Sequence, residues 1–494
     1  MSVKLFNYII IIDKNNRMYK SLNSKNTNSM LIQSERDILL KKYKSKIEIN
    51  YNLNRSVVSF QANKRESFYR WFKYKEGFSK KLVNYFIDKY GSTEGRILDP
   101  FAGSGATLFA GRERGWESIG IELLPIGEYV INARLAAEKI KADIFTEQVE
   151  KFWKEFDKAI NPDKGLNHIN ITKGAFPKEN EVLLNRYLDT IKKIKNTDVK
   201  ILLKFAAFAV LEEISYTRKD GQYLRWDSRA ERMNGNTEFN KGKIYEFIES
   251  VERKIQEIKN DISKTAELIL FETKENKMKE PKIITGSSLE VLPKLENEYF
   301  NLIVTSPPYC NRYDYTRTYA LELVFLGEDE EKIKNLRQTM LTCTVENKEK
   351  VEKLKSLYEG NNKYDEFDFI NNIYFNNPAM QEVNDVLNHL NKLNKLNNSN
   401  IPRMVKNYFY EMLFIMFELY RVLKKQGILV MVNDNVRYGG EEIPVDLILS
   451  DFAENIGFKI NKIWILPTGK GNSSQQMGKH GRSELRKCVY IWEK

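Results

Sequence analysis

The sequence predicts an α/β fold: a doubly wound, mostly parallel sheet interrupted by two largely helical insertions. Three observations predict it. Short apolar runs rich in Ile, Val and Leu alternate with amphipathic helical patterns, as βαβ units require. The first run, Ile97–Pro100, leads into a glycine turn and then a helix. A long polar and helical stretch separates the second run from the third, and another separates the fourth from the fifth.

In chain order the expected strands are Ile97–Pro100, Ser118–Ile121, Lys282–Thr285, Leu302–Thr305, Ile428–Val432, Lys459–Leu466 and Cys488–Trp492. The last two are joined by a loop instead of a crossover helix, so they form an antiparallel edge pair. The first insertion ends in a long helix where Ile244, Ile248, Val251, Ile255, Ile258 and Ile262 recur at spacings of four and three, a stripe that packs within its own lobe. The second ends in the Asn-, Lys- and Leu-rich run Asn388–Asn400, which reads as a linker. The resulting organisation is an N-terminal extension over 1–60, a first sheet part over 61–130, an insertion over 131–280, a second sheet part over 281–327, an insertion with linker over 328–400, and a final sheet part over 401–494.

A chain of 494 residues, 42% hydrophobic, can bury a sizeable core. Phe6–Ile12 is too short to span a bilayer and no small-residue cleavage site follows it, so no export or anchor signal is visible. Cys310, Cys343 and Cys488, like His168, His389 and His480, are scattered without disulfide or metal spacing. A reduced, cytoplasmic protein without a metal site is expected. Most of the formal charge of +12 is local: residues 61–90 hold eight Lys/Arg against three acids, and residues 459–494 hold eight against two. Clustered cations with aromatics between them suit a polyanion surface.

Two segments carry the chemistry. Asp99-Pro-Phe-Ala-Gly-Ser-Gly105 sits at the turn from the first strand into a helix, and Glu122 follows a second strand at the distance where an acidic residue holds a ribose. No Gly-Lys-Ser/Thr follows, so this is not an ATP phosphate loop. Thr305-Ser-Pro-Pro-Tyr309 ends the fourth strand with a hydroxyl, carbonyls without competing N–H groups at two prolines, and an aromatic face. That set can grip a planar base bearing an exocyclic amine. Together the two segments resemble the amino-methyltransferases of DNA, enzymes that move a methyl group from S-adenosylmethionine (AdoMet) to the exocyclic nitrogen of cytosine or adenine.

The resemblance implies a Rossmann-like, seven-stranded methyltransferase sheet, and covers the sheet without either insertion. It implies AdoMet bound by Asp99, Phe101, Gly103, Ser104 and Gly105, with Glu122 on the ribose. Phe78 and Ser79, before the helix Lys80–Tyr90, would complete the pocket, with Ser79 as its N-cap. Where the family usually has an acidic residue toward the adenine, this chain has Gly286-Ser287-Ser288, so either Ser287 makes a weaker contact or another group does the job. Ser306, Pro307, Pro308 and Tyr309 would be catalytic, acting on a base flipped out of double-stranded DNA. Cys310 follows Tyr309 instead of flanking the prolines, which argues against methylation at a ring carbon.

Arg312, Tyr313 and Arg317 follow the catalytic segment, and Arg218, Arg225 and Trp226 form a similar basic and aromatic cluster in the first insertion. Lys479 and Arg482 lie in the polar loop 469–482. All eight are candidate DNA contacts, although a polar helix connector would also explain the 216–226 cluster and a surface loop the last. Target recognition is expected first from 131–280 and second from 328–400. The reading is a site-specific DNA methyltransferase acting on cytosine N(4), since Ser in the first catalytic position favours cytosine in this family. It would serve a restriction–modification or phage-defence system, with a cognate restriction endonuclease as a possible partner. Adenine N(6) is the alternative; an RNA methyltransferase and an inactive DNA-binding subunit are the remaining classes.

Overall fold

Runs such as Ile428–Val432 have no polar alternation because a parallel sheet covered on both faces by helices buries every position. In the computed structural model, the residues described are 10–12, 18–20, 34–162, 165–220, 223–232, 238–271, 279–467 and 485–494. All seven expected runs are strands there, and eight strands form a mostly parallel sheet. Lys479 and Arg482 lie outside the described residues. The chain divides into two units: Met1–Asn54, Leu292–Asn311 and Leu341–Lys494 form one, and Arg55–Val291 with Arg312–Met340 form the other.

The first unit supplies five strands of this sheet: β1 (Ile47–Ile49), β7 (Phe300–Thr305), β8 (Leu423–Asp434), β9 (Lys459–Ile465) and β10 (Lys487–Glu493). Their order is β1-β9-β10-β8-β7. β7 and β8 run parallel, with Thr305 opposite Met431. β10 lies antiparallel between β8 and β9. The expectation of seven strands with β9 and β10 at the edge is corrected by β1, whose Ile47 pairs in parallel with Ile463 and covers β9. Three residues are enough because the partner strand supplies the ladder. Helices α8 (Ile401–Val422) and α9 (Val445–Ile456) pack against this sheet, and both are apolar around most of their circumference.

The second unit holds β2 (Arg96–Asp99), β3 (Glu117–Glu122) and β6 (Lys282–Thr285), parallel and in that order. Between β2 and β3 runs α2 (Ala106–Glu113), and after β3 runs α3 (Pro125–Lys139), started by a proline at its first turn. The insertion adds α4 (Ala142–Lys158), α5 (Lys178–Ile191), α6 (Thr197–Val210) and α7 (Phe247–Phe271). Val251, Ile255, Ile258 and Ile262 of α7 are buried against the other helices of this lobe. The lobe is not wholly helical: β4 (Thr217–Asp220) and β5 (Tyr223–Trp226) make an antiparallel hairpin where the sequence suggested a connector.

The stretch 328–400 is divided between the two units, the first of its helices, Glu330–Thr339, belonging to the second. The run read as a linker begins inside a helix, Pro378–Lys392, because Leu387 and Leu390 find buried positions on its face. Among the described residues no helix is long and apolar enough to cross a membrane, and no cluster of His, Cys, Asp and Glu could hold a metal ion.

Candidate active site

Asp99 closes β2 and is almost fully buried. Its carboxylate accepts the Phe101 N–H at 3.1 Å and the Thr107 hydroxyl at 2.9 Å, which fixes the turn before α2 begins. Gly103 and Gly105 have φ of +53° and +80°, the left-handed region where a side chain is strained. Their immediate reason is packing as much as access. A Cβ on Gly105 would lie 2.9 Å from Ile131, and one on Gly103 would lie 3.2 Å from the Tyr74 ring. Phe101, Gly103 and Ser104 are half-buried, so the open side of the turn is theirs.

Glu122 ends β3, where its carboxylate accepts the Gly103 N–H at 2.6 Å and the Leu124 N–H at 2.7 Å. Burial pushes its pKa up to about 7, against the pull of those two N–H groups toward the charged form. Gly127 in α3 was missed by sequence reasoning, yet a Cβ there would collide with the Gly103 carbonyl and the Glu122 side chain. The signal was a glycine early in a helix that costs stability unless something needs the space. Tyr74, another missed residue, stacks on Tyr319 with ring centroids 5.4 Å apart and faces Gly103.

Ser79 does precede the helix α1, Lys80–Tyr90, but its hydroxyl caps nothing: it donates to the Val57 carbonyl at 2.7 Å. Asn63 takes the cap, accepting the Lys80 N–H at 3.1 Å and donating to the Phe78 carbonyl at 3.3 Å. Phe78 and Ser79 are both buried. Ser287 is buried too, its hydroxyl donating to the Thr339 carbonyl at 3.2 Å, while Ser288 donates to the Pro100 carbonyl and the Gly286 N–H to the Glu122 carbonyl at 2.9 Å. Ser288 thereby ties the end of β6 to the Asp99–Gly105 turn. This cradle suits AdoMet: a buried carboxylate that ribose hydroxyls could reach, a glycine backbone and an aromatic face.

In the other unit, the pairing of β7 with β8 stops at Thr305, since the following prolines have no N–H to donate beyond Ser306. Ser306 Oγ lies 3.1 Å from the Tyr309 hydroxyl and 3.3 Å from the Val432 carbonyl. One hydroxyl proton can serve only one acceptor at a time, which leaves Ser306 lone pairs for an incoming N–H donor. Ser306, Pro308 and Tyr309 are half-buried and Pro307 is buried. Cys310 is a packing residue: it is fully buried, burial pushes its thiol pKa up, and its carbonyl accepts the Tyr438 hydroxyl at 2.6 Å.

The candidate DNA contacts separate into exposed and buried groups. Arg225, Trp226 and Arg317 line one cleft, joined by Arg232 and Phe239, which sequence reasoning missed. Arg218 is exposed on the hairpin. Arg312 is half-buried with φ of +66°. Tyr313 is only 3% exposed, its ring centroid 4.6 Å from that of Tyr315 and tilted against it.

The DNA methylase family of N6 and N4 enzymes matches residues 4–130. The chain is 48% identical over 462 residues, 92% of both chains, to the Type II methyltransferase M.AvaI of Nostoc sp. strain PCC 7120. It is 42% identical over 489 residues to the Type II methyltransferase M.BsoBI of Geobacillus stearothermophilus, covering 94% of this chain and 93% of that one. No solved structure matches. The chain belongs to the Type II DNA methyltransferases of the amino-methyltransferase family.

Proposed function

We propose that the protein transfers the methyl group of AdoMet to the exocyclic N(4) amine of cytosine in a specific duplex sequence. The observation that carries the base assignment is the hydroxyl at Ser306 with lone pairs open to a donor. The amine is a poor nucleophile because its lone pair is delocalised into the ring. Hydrogen bonds from its two N–H groups to Ser306 Oγ and the Pro307 carbonyl draw it toward tetrahedral geometry and localise that lone pair. Tyr309 stacks on the base, which has to leave the helix because its target atom is unreachable inside it.

Asp99, Gly103 and Glu122 would hold the cofactor, with Tyr74 beside the turn, and bound AdoMet supplies an electrophilic methyl sulfonium. Transfer then depends on positioning more than on acid–base power. Modification by an enzyme of this class protects DNA from a cognate endonuclease, so the protein acts in restriction–modification or phage defence in the cytoplasm; its resemblance to proteins named Type II methyltransferases supports this reading. Mass spectrometry of nucleosides from DNA treated with the protein and AdoMet tests this. N(4)-methylcytosine is the expected product; N(6)-methyladenine alone would overturn the base assignment, and no methylated DNA base would overturn the reading.

A further inference from the structure

The hairpin β4/β5 has two faces of opposite character. Successive residues of a strand point to opposite sides, and here Thr217, Lys219, Leu224 and Trp226 are buried while Arg218, Asp220 and Tyr223 are exposed and Arg225 is half-buried. The buried face is an anchor. Lys219 Nζ pairs with Glu322 and, at 3.5 Å, with Glu212, and lies about 5 Å from the ring centres of Phe72 and Tyr319. The base of the hairpin is tied down by Tyr216 N–H to the Ala175 carbonyl at 2.7 Å and by Asp227 N–H to the Tyr216 carbonyl at 2.8 Å.

The opposite face carries the two arginines. Arg218 and Arg225 are direct cross-strand partners in the register. Like charges in that arrangement are destabilising, and Asp220, 3.7 Å from Arg225, compensates for only one of them. Beside the ribbon, the cleft lined by Trp226, Phe239, Arg225, Arg232 and Arg317 has a volume of about 270 Å³ and, among the described residues, no acidic side chain in its wall. Two of its three guanidinium groups lie against rings, Arg225 at 4.1 Å from Phe239 and Arg232 at 5.5 Å from Trp226, while Arg317 pairs with Asp314 at 3.5 Å. An anchored ribbon showing paired arginines next to a cationic, aromatic cleft is built to meet an anion that carries flat, acceptor-rich edges.

We propose that this hairpin reads the target sequence in the major groove of duplex DNA. Arg218 and Arg225 each grip a guanine, and Arg232 and Arg317 in the adjoining cleft hold phosphates. The proposal rests on the reading of the protein as a site-specific DNA methyltransferase and names the element that supplies its specificity. The major groove admits a two-stranded ribbon, and a guanidinium fork matches the N7 and O6 acceptors of guanine. Phosphate contacts set the register without reading sequence.

The test uses the full-length protein and its Arg218→Ala, Arg225→Ala, Arg218→Lys and Arg232→Ala variants. The methylated sequence is first located by modified-base sequencing of DNA from cells expressing the wild type. Radiolabelled methyl transfer is then measured on that duplex and on duplexes with each G·C pair changed in turn. Arg218→Ala and Arg225→Ala should each lose on the order of tenfold to a hundredfold on the cognate duplex and cease to discriminate at one G·C pair, with AdoMet affinity unchanged. Arg218→Lys should keep general DNA affinity without restoring that discrimination, because an ammonium has no fork. Arg232→Ala should weaken every duplex alike and flatten the salt dependence. Unchanged discrimination in Arg218→Ala and Arg225→Ala, or an equal loss on all duplexes, would overturn the assignment while leaving the enzyme's function standing. A wild type that methylates no duplex would overturn both.

Discussion

The Asp99–Gly105 turn and the Ser306–Tyr309 segment each end a buried strand, yet they finish in opposite ways. Around the turn the polar side chains are committed: Asp99 holds Phe101 and Thr107, and Glu122 holds Gly103 and Leu124. At Ser306–Tyr309 two prolines remove donors and one serine proton is shared between two acceptors. The first shape is dictated from within, so a ligand has to fit it. The second is shaped by the prolines, which withhold N–H donors, and by one serine hydroxyl placed between two acceptors.

The largest effect should come from the open segment. Ser306→Ala removes an acceptor and little packing, so AdoMet and DNA binding should persist while single-turnover methylation falls by roughly a hundredfold or more. Loss of binding in step with turnover would erase the contrast. Tyr309→Ala should come next, weakening capture of the flipped base by about 1–3 kcal/mol. Fluorescence of 2-aminopurine placed at the target position would report it, and an unaltered signal would remove Tyr309 from the base-stacking role.

Substitution in the closed turn should show first as stability. Gly105→Ala places a side chain at φ +80° and against Ile131, which should cost about 1–2 kcal/mol from the backbone alone, read as an earlier midpoint in denaturant. A variant as stable as the wild type but unable to bind AdoMet would mean that the glycine serves the ligand instead.

A further effect should be a pH dependence at Glu122. From its ordinary value of 4.5 up to about 7, the folded chain keeps a proton on Glu122 that the unfolded chain has released, so this group's contribution to stability falls as pH rises through that window. On the proposed placement of AdoMet, ribose hydroxyls donating to the carboxylate would favour its charged form, and cofactor binding would expel that proton. AdoMet affinity should therefore rise with pH, by up to roughly tenfold per unit below about 7, and Glu122→Gln should flatten the profile. Calorimetric titrations at several pH values would show whether the slope exists.

The sheet was legible because runs like Ile428–Val432 and Leu302–Thr305 announce themselves by continuous burial. The turn and the proline segment were legible because Gly and Pro act through the local backbone. What escaped depended on distant partners. Ile47–Ile49 is a strand only because Ile463–Ile465 lies beside it. Thr217–Trp226 hides its alternation, since the inward Lys219 is satisfied by Glu322, a residue far along the chain. Ser79 occupies the position of a cap, but Val57 claims its hydroxyl and Asn63 does the capping. Gly127 shows its purpose only once Gly103 is seen against it.

The position of β10 bears on how this protein is made. It is the last of the eight sheet strands in chain order and pairs with β8 on one side and β9 on the other. While the ribosome is still short of residue 487, those two strands have no ladder between them, and both present open edges of the kind that recruit other chains. Nascent protein at that stage is the species most in need of a chaperone. A nonsense codon just before β10 should therefore yield insoluble protein, even though neither Asp99–Gly105 nor Ser306–Tyr309 has been touched.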